Sequence, residues 1–224
     1  LNLKEFNLSY LSTFIDSDDL EMKGRINGVA VLKDPYADRV ITSDLIVSQF
    51  EVNDLKIEEA ALETYWLKDS SGIAINAYIG KKESPLLAAI GTINPRTSVD
   101  NLDLQLRFNQ FPIKVTEPFI DHILSDIEGD LNGKVEVRGK LNEPLLNGNL
   151  QLRNAKMHVI YLNTDYRVNH DVLIRPDFIG FNLMDILDEN GNVATATGTI
   201  FHQNYSNFNL DVGIEMEDFL ALNT

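Results

Sequence analysis

The sequence has no cysteine, a single tryptophan and few cations: 19 Lys and Arg against 34 Asp and Glu leave a formal charge of −15 over 224 residues. Without cysteine there is no disulfide, no thiolate metal site and no cysteine nucleophile. The compartment stays open, because a periplasmic protein dispenses with disulfides as readily as a cytosolic one. Phosphate binding needs clustered Lys and Arg, and none is present, so nucleic acid is excluded as a partner. The same charge repels anionic headgroups, so any lipid contact has to be made through apolar side chains. Long hydrophobic runs are missing too. The longest, Leu86 to Ile90, falls far short of the roughly 20 residues of a membrane-spanning helix, and no basic-then-apolar leader opens the chain. As given, the chain reads as soluble. It opens on Leu1 and closes on Ala221-Leu222-Asn223-Thr224 directly after a strand-like stretch, which reads as an excised part of a longer protein.

Catalytic signatures are equally scarce. Neither a Gly-x-Ser-x-Gly elbow nor a P-loop occurs. His122, His158, His170 and His202 form no i, i+4 pair and no His-x-His, so they carry no zinc-site spacing and read as surface or half-buried. Asp126, Glu128, Asp130 and Glu136 alternate with apolar residues, the pattern of a solvated strand face rather than of a glycosidase pair. Asp188-Glu-Asn-Gly-Asn192 lacks the ligand spacing of a calcium loop and fits a hairpin turn. The chain therefore reads as a non-enzyme with no metal and no cofactor. Trp66, beside Tyr65, reads as an anchor in the core or at the edge of a groove.

What is present is alternation with a period of two. Leu102-Leu104-Leu106-Phe108, Val135-Val137, Leu150-Leu152, Phe181-Leu183 and Phe208-Leu210-Val212-Ile214 each place apolar side chains on one face of a strand. Turn chemistry separates the strands at Lys68 to Gly72, Asn94-Pro95, Asn142-Glu143-Pro144 and Asp188 to Asn192, so neighbours in sequence pair antiparallel. A single helix is expected over Thr116 to Ser125, with Thr116 as its cap and Pro118 in the first turn. A weaker copy is expected around Leu11 to Ile15.

Slid against itself by 105 positions, the chain repeats without gaps. Phe6 meets Phe111, Leu8 meets Ile113, Phe14-Ile15 meets Phe119-Ile120, Gly24 meets Gly129, Gly28 meets Gly133, Leu45 meets Leu150 and Val47 meets Leu152. The match loosens later and returns at Gly91-Thr92-Ile93 against Gly198-Thr199-Ile200. A repeat of strands with one apolar face each predicts an all-β, quasi-one-dimensional array in a long, mostly antiparallel sheet that curls. We expect one continuous structure, with residues 1–110 as the first unit and 111–224 as the second. Gly24, Gly28, Gly129, Gly133, Gly139 and Gly148 are expected to shape its curvature.

The stretch from Ile127 to Ala155 carries Gly129, Leu131, Gly133, Val135, Val137, Gly139, Leu141, Pro144, Leu146, Gly148, Leu150, Leu152, Asn154 and Ala155. This string resembles the C-terminal β-rich region of the TamB family, the translocation and assembly module, and in particular its Bacteroidota-type members. Tyr161 to Tyr166, Asp188 to His202 and Phe219 to Thr224 also look like that family. Over residues 1–110 the likeness rests on the repeat, and Val31 to Val40 departs from it, with Pro35 out of register with Pro144. The resemblance implies an AsmA-like repeating β-groove protein, or β-taco, in the periplasm. It also implies an inner-membrane anchor outside this sequence and a TamA-like outer-membrane β-barrel partner. The proposed roles of such proteins are phospholipid transport to the outer membrane and assistance to outer-membrane protein assembly.

A curled sheet of this kind would offer its apolar stripe to phospholipid acyl chains or to unfolded outer-membrane β-strands. The expected lining is Leu102, Leu104, Leu106, Phe108, Val135, Val137, Leu150, Leu152, Phe181, Leu183, Leu210, Val212 and Ile214. Two other readings predict different surfaces: an extracellular β-solenoid that binds or acts on polysaccharide, with exposed aromatics and converging carboxylates, and a purely structural spacer with a closed sheet.

Overall fold

The computed structural model describes residues 1–12, 20–33, 40–67, 72–97 and 99–223. Expectations that fall on Phe14-Ile15, Pro35, Lys68 to Ser71 and Thr224 lie outside the described residues, as does most of the helix anticipated around Leu11 to Ile15. The chain is all-β. The first strands are β1 (Asn2–Asn7), β2 (Met22–Lys33), β3 (Val40–Val52), β4 (Leu55–Leu67), β5 (Gly72–Lys81), β6 (Ser84–Ile93) and β7 (Leu102–Pro112). They are followed by β8 (Leu124–Lys140), β9 (Glu143–Val159), β10 (Thr164–Ile174), β11 (Phe178–Leu187), β12 (Val193–Gln203) and β13 (Ser206–Met216). They lie in chain order in one 13-stranded sheet that does not close into a barrel, as consecutive antiparallel pairing through short turns requires.

Among the described residues helix is confined to short turns. A one-turn helix α1 (Ser9–Ser12) follows β1, and a 3₁₀ turn (Ile113–Thr116) leads into a second one-turn helix, α2 (Glu117–Ile120). The short helix expected near residues 116–125 is thus present, with one turn where the spacing predicts two. Thr116 does not cap it: its backbone is already helical and its hydroxyl donates instead to the carbonyl of Ile113 at 2.8 Å. The Ile123 N–H closes the turn onto Ile120 at 2.9 Å, and Leu124 already belongs to β8.

Two compact units divide the described residues. The first holds Leu1–Arg107 and the hairpin tip Glu136–Leu145; the second holds Phe108–Val135 and Leu146–Thr224. In the first unit, Ile26, Phe50, Val52, Ala60, Ile73 and Ala88 are buried. Cross-strand pairing sets Ile26 beside Val47, Val47 beside Ala60, and Ala60 beside Ile79. Trp66 is half-buried on β4, with the Arg96 guanidinium 5.1 Å from its ring centroid, an arrangement that attracts a cation to the ring face. In the second unit the buried hydrophobic residues are Phe111, Ile127, Val135, Ala155, Tyr166, Val168, Ile174, Ala194 and Ala196.

The repeat in the sequence is a repeat of backbone geometry. Gly28 on β2 has φ +136° and faces the Asp44 carbonyl; Gly133 on β8 has φ +131° and faces the Asn149 carbonyl, 105 positions on in both partners. A Cβ at either position would overlap that oxygen and stand within 3.0 Å of Leu45 Cα or 3.2 Å of Leu150 Cα. Only glycine combines such a φ with so close an approach of the next strand. Gly24 and Gly129 likewise repeat their contacts, against the carbonyls of Ser48 and Gln49 and of Arg153 and Asn154. Gly139 has φ +88°, and Gly148 lies against the Lys134 carbonyl.

One recurring device has no counterpart in the alternation pattern. Glu5 and Gln110 adopt φ +52° and +51°, and the N–H of each is held at 2.9 Å by a side-chain oxygen, from Asn27 and Asn132 respectively. These asparagines immediately precede Gly28 and Gly133. An extra residue in one strand exposes an N–H that its partner strand does not reach, and the amide of the neighbouring asparagine takes that bond.

Candidate functional site

The site is an apolar hollow in the second unit, and the cross-strand register builds it. Ala155 pairs with Val168, Val168 with Ile186, Ile186 with Ala194, and Ala194 with Met216, a row of apolar side chains across five strands. Further rows follow along the strand direction: Met184, Ala196 and Ile214; Phe181, Gly198 and Val212; Ile174, Ile179, Ile200 and Leu210. Between the second and third rows β11 carries a bulge. Leu183 sits there at φ +51° with its N–H on the Thr197 hydroxyl at 3.0 Å. The inserted residue shifts the phase, so that Phe181 and Met184, three apart, share a face.

The rows line a half-open cavity of about 530 Å³, within the roughly 300–1,000 Å³ of small-ligand sites. Leu152, Met157 and Val159 of β9, Val168 and Val172 of β10, Ile179, Phe181, Met184 and Ile186 of β11, and Ala194 and Ile200 of β12 form its floor. Ile214 and Met216 of β13 form one side, and Leu162, Tyr166, Phe219 and Ala221 close one end. Among the described residues of this wall Tyr166 alone has a polar side chain, and its hydroxyl is occupied by the carbonyls of Leu220 and Ala221 at 3.1 and 3.2 Å. Burial pushes the Tyr166 phenol above its ordinary pKa, so it stays neutral at physiological pH.

Of the expected lining residues, Leu152, Phe181 and Ile214 border this cavity. Leu150 pairs with Val172, and Leu210 and Val212 continue the same rows onto exposed surface. Leu183 departs from the expectation: the bulge turns it out and leaves it 66 % exposed. Val135 and Val137 are buried core positions. In β7, Leu102 is buried, while Leu104, Leu106 and Phe108 are half-buried, Phe108 packing edge-on to Phe111 at 5.7 Å. Strand alternation does not find Tyr166, Val168, Met184, Ile186, Phe219 or Ala221.

His202 is buried, not half-exposed. The turn at Asn204-Tyr205 folds the Tyr205 ring onto it at 4.7 Å and brings Phe208 to 6.2 Å. Among the described residues no group of three or more His, Asp or Glu is placed to hold a metal ion. A larger hollow of about 720 Å³ in the first unit is bordered by Lys23, Arg25, Glu51, Lys56 and Glu58. Lys23 there already pairs with Glu21 at 3.2 Å and Asp54 at 3.1 Å. Mixed charge along the rim marks a solvated surface, so the smaller cavity, with its almost wholly apolar wall, is the stronger candidate.

Asp188 anchors the end of the cavity. It is 1 % exposed and closes the β11–β12 turn by accepting the N–H groups of Asn190 at 2.9 Å and Asn192 at 2.8 Å, the Asn192 amide at 3.0 Å and the Leu220 N–H at 2.8 Å. Burial acts to raise its pKa, but these donors together outweigh it and hold the carboxyl below the ordinary value. Asp165 is lowered too, chiefly by the bond to His158 at 2.7 Å and then, against burial, by Lys156 at 3.2 Å. With folded values depressed, the stabilisation is complete above the unfolded carboxylate pKa near about 4 and is lost as pH falls through each folded value. Asp188→Asn is therefore expected to be less stable than the parent at pH 7, with the gap narrowing below about pH 4. Urea unfolding of both proteins across that range measures it, and a pH-independent gap would contradict the assignment.

Comparison of the chain with protein-family models, with curated proteins and with solved structures finds no match.

Proposed function

We propose that this chain is a non-enzymatic module that holds phospholipid acyl chains in the apolar hollow of its second unit, as part of a TamB-like envelope protein acting in the periplasm with a TamA-like outer-membrane barrel. One observation carries the reading: a cavity of about 530 Å³ whose single polar side chain among the described residues has its hydroxyl engaged by backbone carbonyls. Such a wall has nothing to offer a sugar hydroxyl, which loses its water without compensation. It suits a hydrocarbon tail, which gains about 0.8 kcal/mol for each methylene removed from water. On β13 the exposed Leu210 and Val212 extend beyond the cavity the apolar surface that Ile214 and Met216 begin within it, as a passage for tails requires. The Ile127 to Ala155 string supports the envelope assignment.

The test is to express the chain in a bacterium, purify it without detergent, extract it with organic solvent and analyse the extract by mass spectrometry. Near-stoichiometric phospholipid is expected, and Ile214→Asp should abolish it. Ile214 is 49 % exposed, so the aspartate stays solvated and the fold is kept at a cost under about 1 kcal/mol. A stable, lipid-free parent protein would overturn the proposal in favour of a structural spacer.

A further inference from the structure

We infer that residues 217–223 form an end wall that limits the length of acyl chain the hollow accepts, with Phe219 as the stop; the inference rests on the acyl-chain reading above. Past β13 the backbone turns at Asp218, φ +53°, and crosses the start of β10. The Phe219 ring stacks on Tyr166 with centroids 5.5 Å apart and planes 4° from parallel. Five further hydrogen bonds fasten the segment just beyond that stack, at Leu220, Ala221 and Asn223. The Leu220 N–H donates to Asp188 at 2.8 Å, the Tyr166 hydroxyl reaches the Leu220 and Ala221 carbonyls, the Asn223 N–H donates to Leu162 at 3.0 Å, and the Asn163 amide donates to the Asn223 carbonyl at 3.1 Å.

The wall stands at one end of the rows. Tyr166 is the third residue of β10, whereas Ile200 and Leu210 pair in the row farthest from it. From Tyr166 to Ile174 the strand covers eight residue steps, about 26 Å at 3.3 Å each. A tail lying along the strands leaves over Ile200 and Leu210 and meets the Phe219 ring at its inner end. Each methylene buried short of the ring tightens binding about fourfold, and methylenes beyond that capacity add nothing.

Saturated fatty acids of increasing length, competed against a fluorescent fatty acid, read the wall directly. In the parent protein affinity should rise about fourfold per methylene and then level off. Phe219→Ala should move the plateau to longer chains, and Ala221→Phe, which fills the same end, to shorter ones. Circular dichroism checks that each variant folds; if Phe219→Ala does not, Ala221→Phe tests the wall from the opposite direction. One common plateau in parent and folded variants overturns the end wall and leaves the acyl-chain reading standing. Affinity that does not rise with chain length in the parent overturns both.

Discussion

Gly133→Ala is expected to destabilise the fold by roughly 3–5 kcal/mol, combining a backbone conformation reserved for glycine with overpacking. Its φ is +131°, and a new Cβ would overlap the Asn149 carbonyl oxygen, a backbone atom that cannot rotate away. Three other glycines of the same unit separate the two causes. Gly148 has the close contact, since an added methyl would stand 2.7 Å from Val135 Cα, but no positive φ; alanine there should cost about 1–3 kcal/mol. Gly191 has φ +85° and open space around it, so alanine should cost about 1–2 kcal/mol of conformational strain. Gly213 has neither, its nearest neighbour being 3.9 Å away, and alanine there should be neutral or stabilise by about 0.5 kcal/mol. Urea unfolding of the four variants gives the order. Equal effects at Gly133 and Gly213 would remove glycine from the account of how adjacent strands approach.

Val168→Asp should be the most damaging change on the apolar face. Val168 is 5 % exposed between Ala155 and Ile186, and aspartate is no larger, so the penalty is that of a carboxylate with no partner, on the order of 3–5 kcal/mol at neutral pH. The pH dependence reverses relative to Asp188. An unpaired buried carboxyl has its folded pKa raised, so the loss is greatest above that value and part of it is recovered as pH falls. Val168→Thr, close to isosteric, should cost about 1–3 kcal/mol from its buried hydroxyl and add no pH dependence. Urea unfolding at neutral and acid pH distinguishes them, and a Val168→Asp protein as stable as the parent would mean that this face is wet.

Much of this architecture can be read in the chain. Period-two alternation in Phe208, Leu210, Val212 and Ile214 marks a strand whatever packs against it, because successive side chains must point to opposite faces. The Asp188 to Asn192 turn is legible because Asp and Asn bond their own backbone two residues on, as the Asn190 N–H does with Asp188. The 105-residue repeat is legible through Gly24, Gly28, Gly129 and Gly133, since backbone contact between strands leaves no substitute for glycine. Phase was harder. Alternation alone assigns Phe181 and Leu183 to one face, yet the bulge at Leu183 pairs Phe181 with Met184, and no local pattern announces where an extra residue enters.

By itself, then, the sequence determined the all-β class, the chain-order antiparallel pairing and the glycines of close approach, each of which follows from steric rules acting within a few residues or from periodicity along one strand. Tertiary structure alone decided which apolar side chains share the hollow, that Tyr166 and Phe219 stack across 53 residues of chain, and that His202 is buried. Those outcomes depend on bulges that reset strand phase and on hydrogen bonds between distant segments, such as Leu220 to Asp188, whose partners carry no mark of one another in the linear chain.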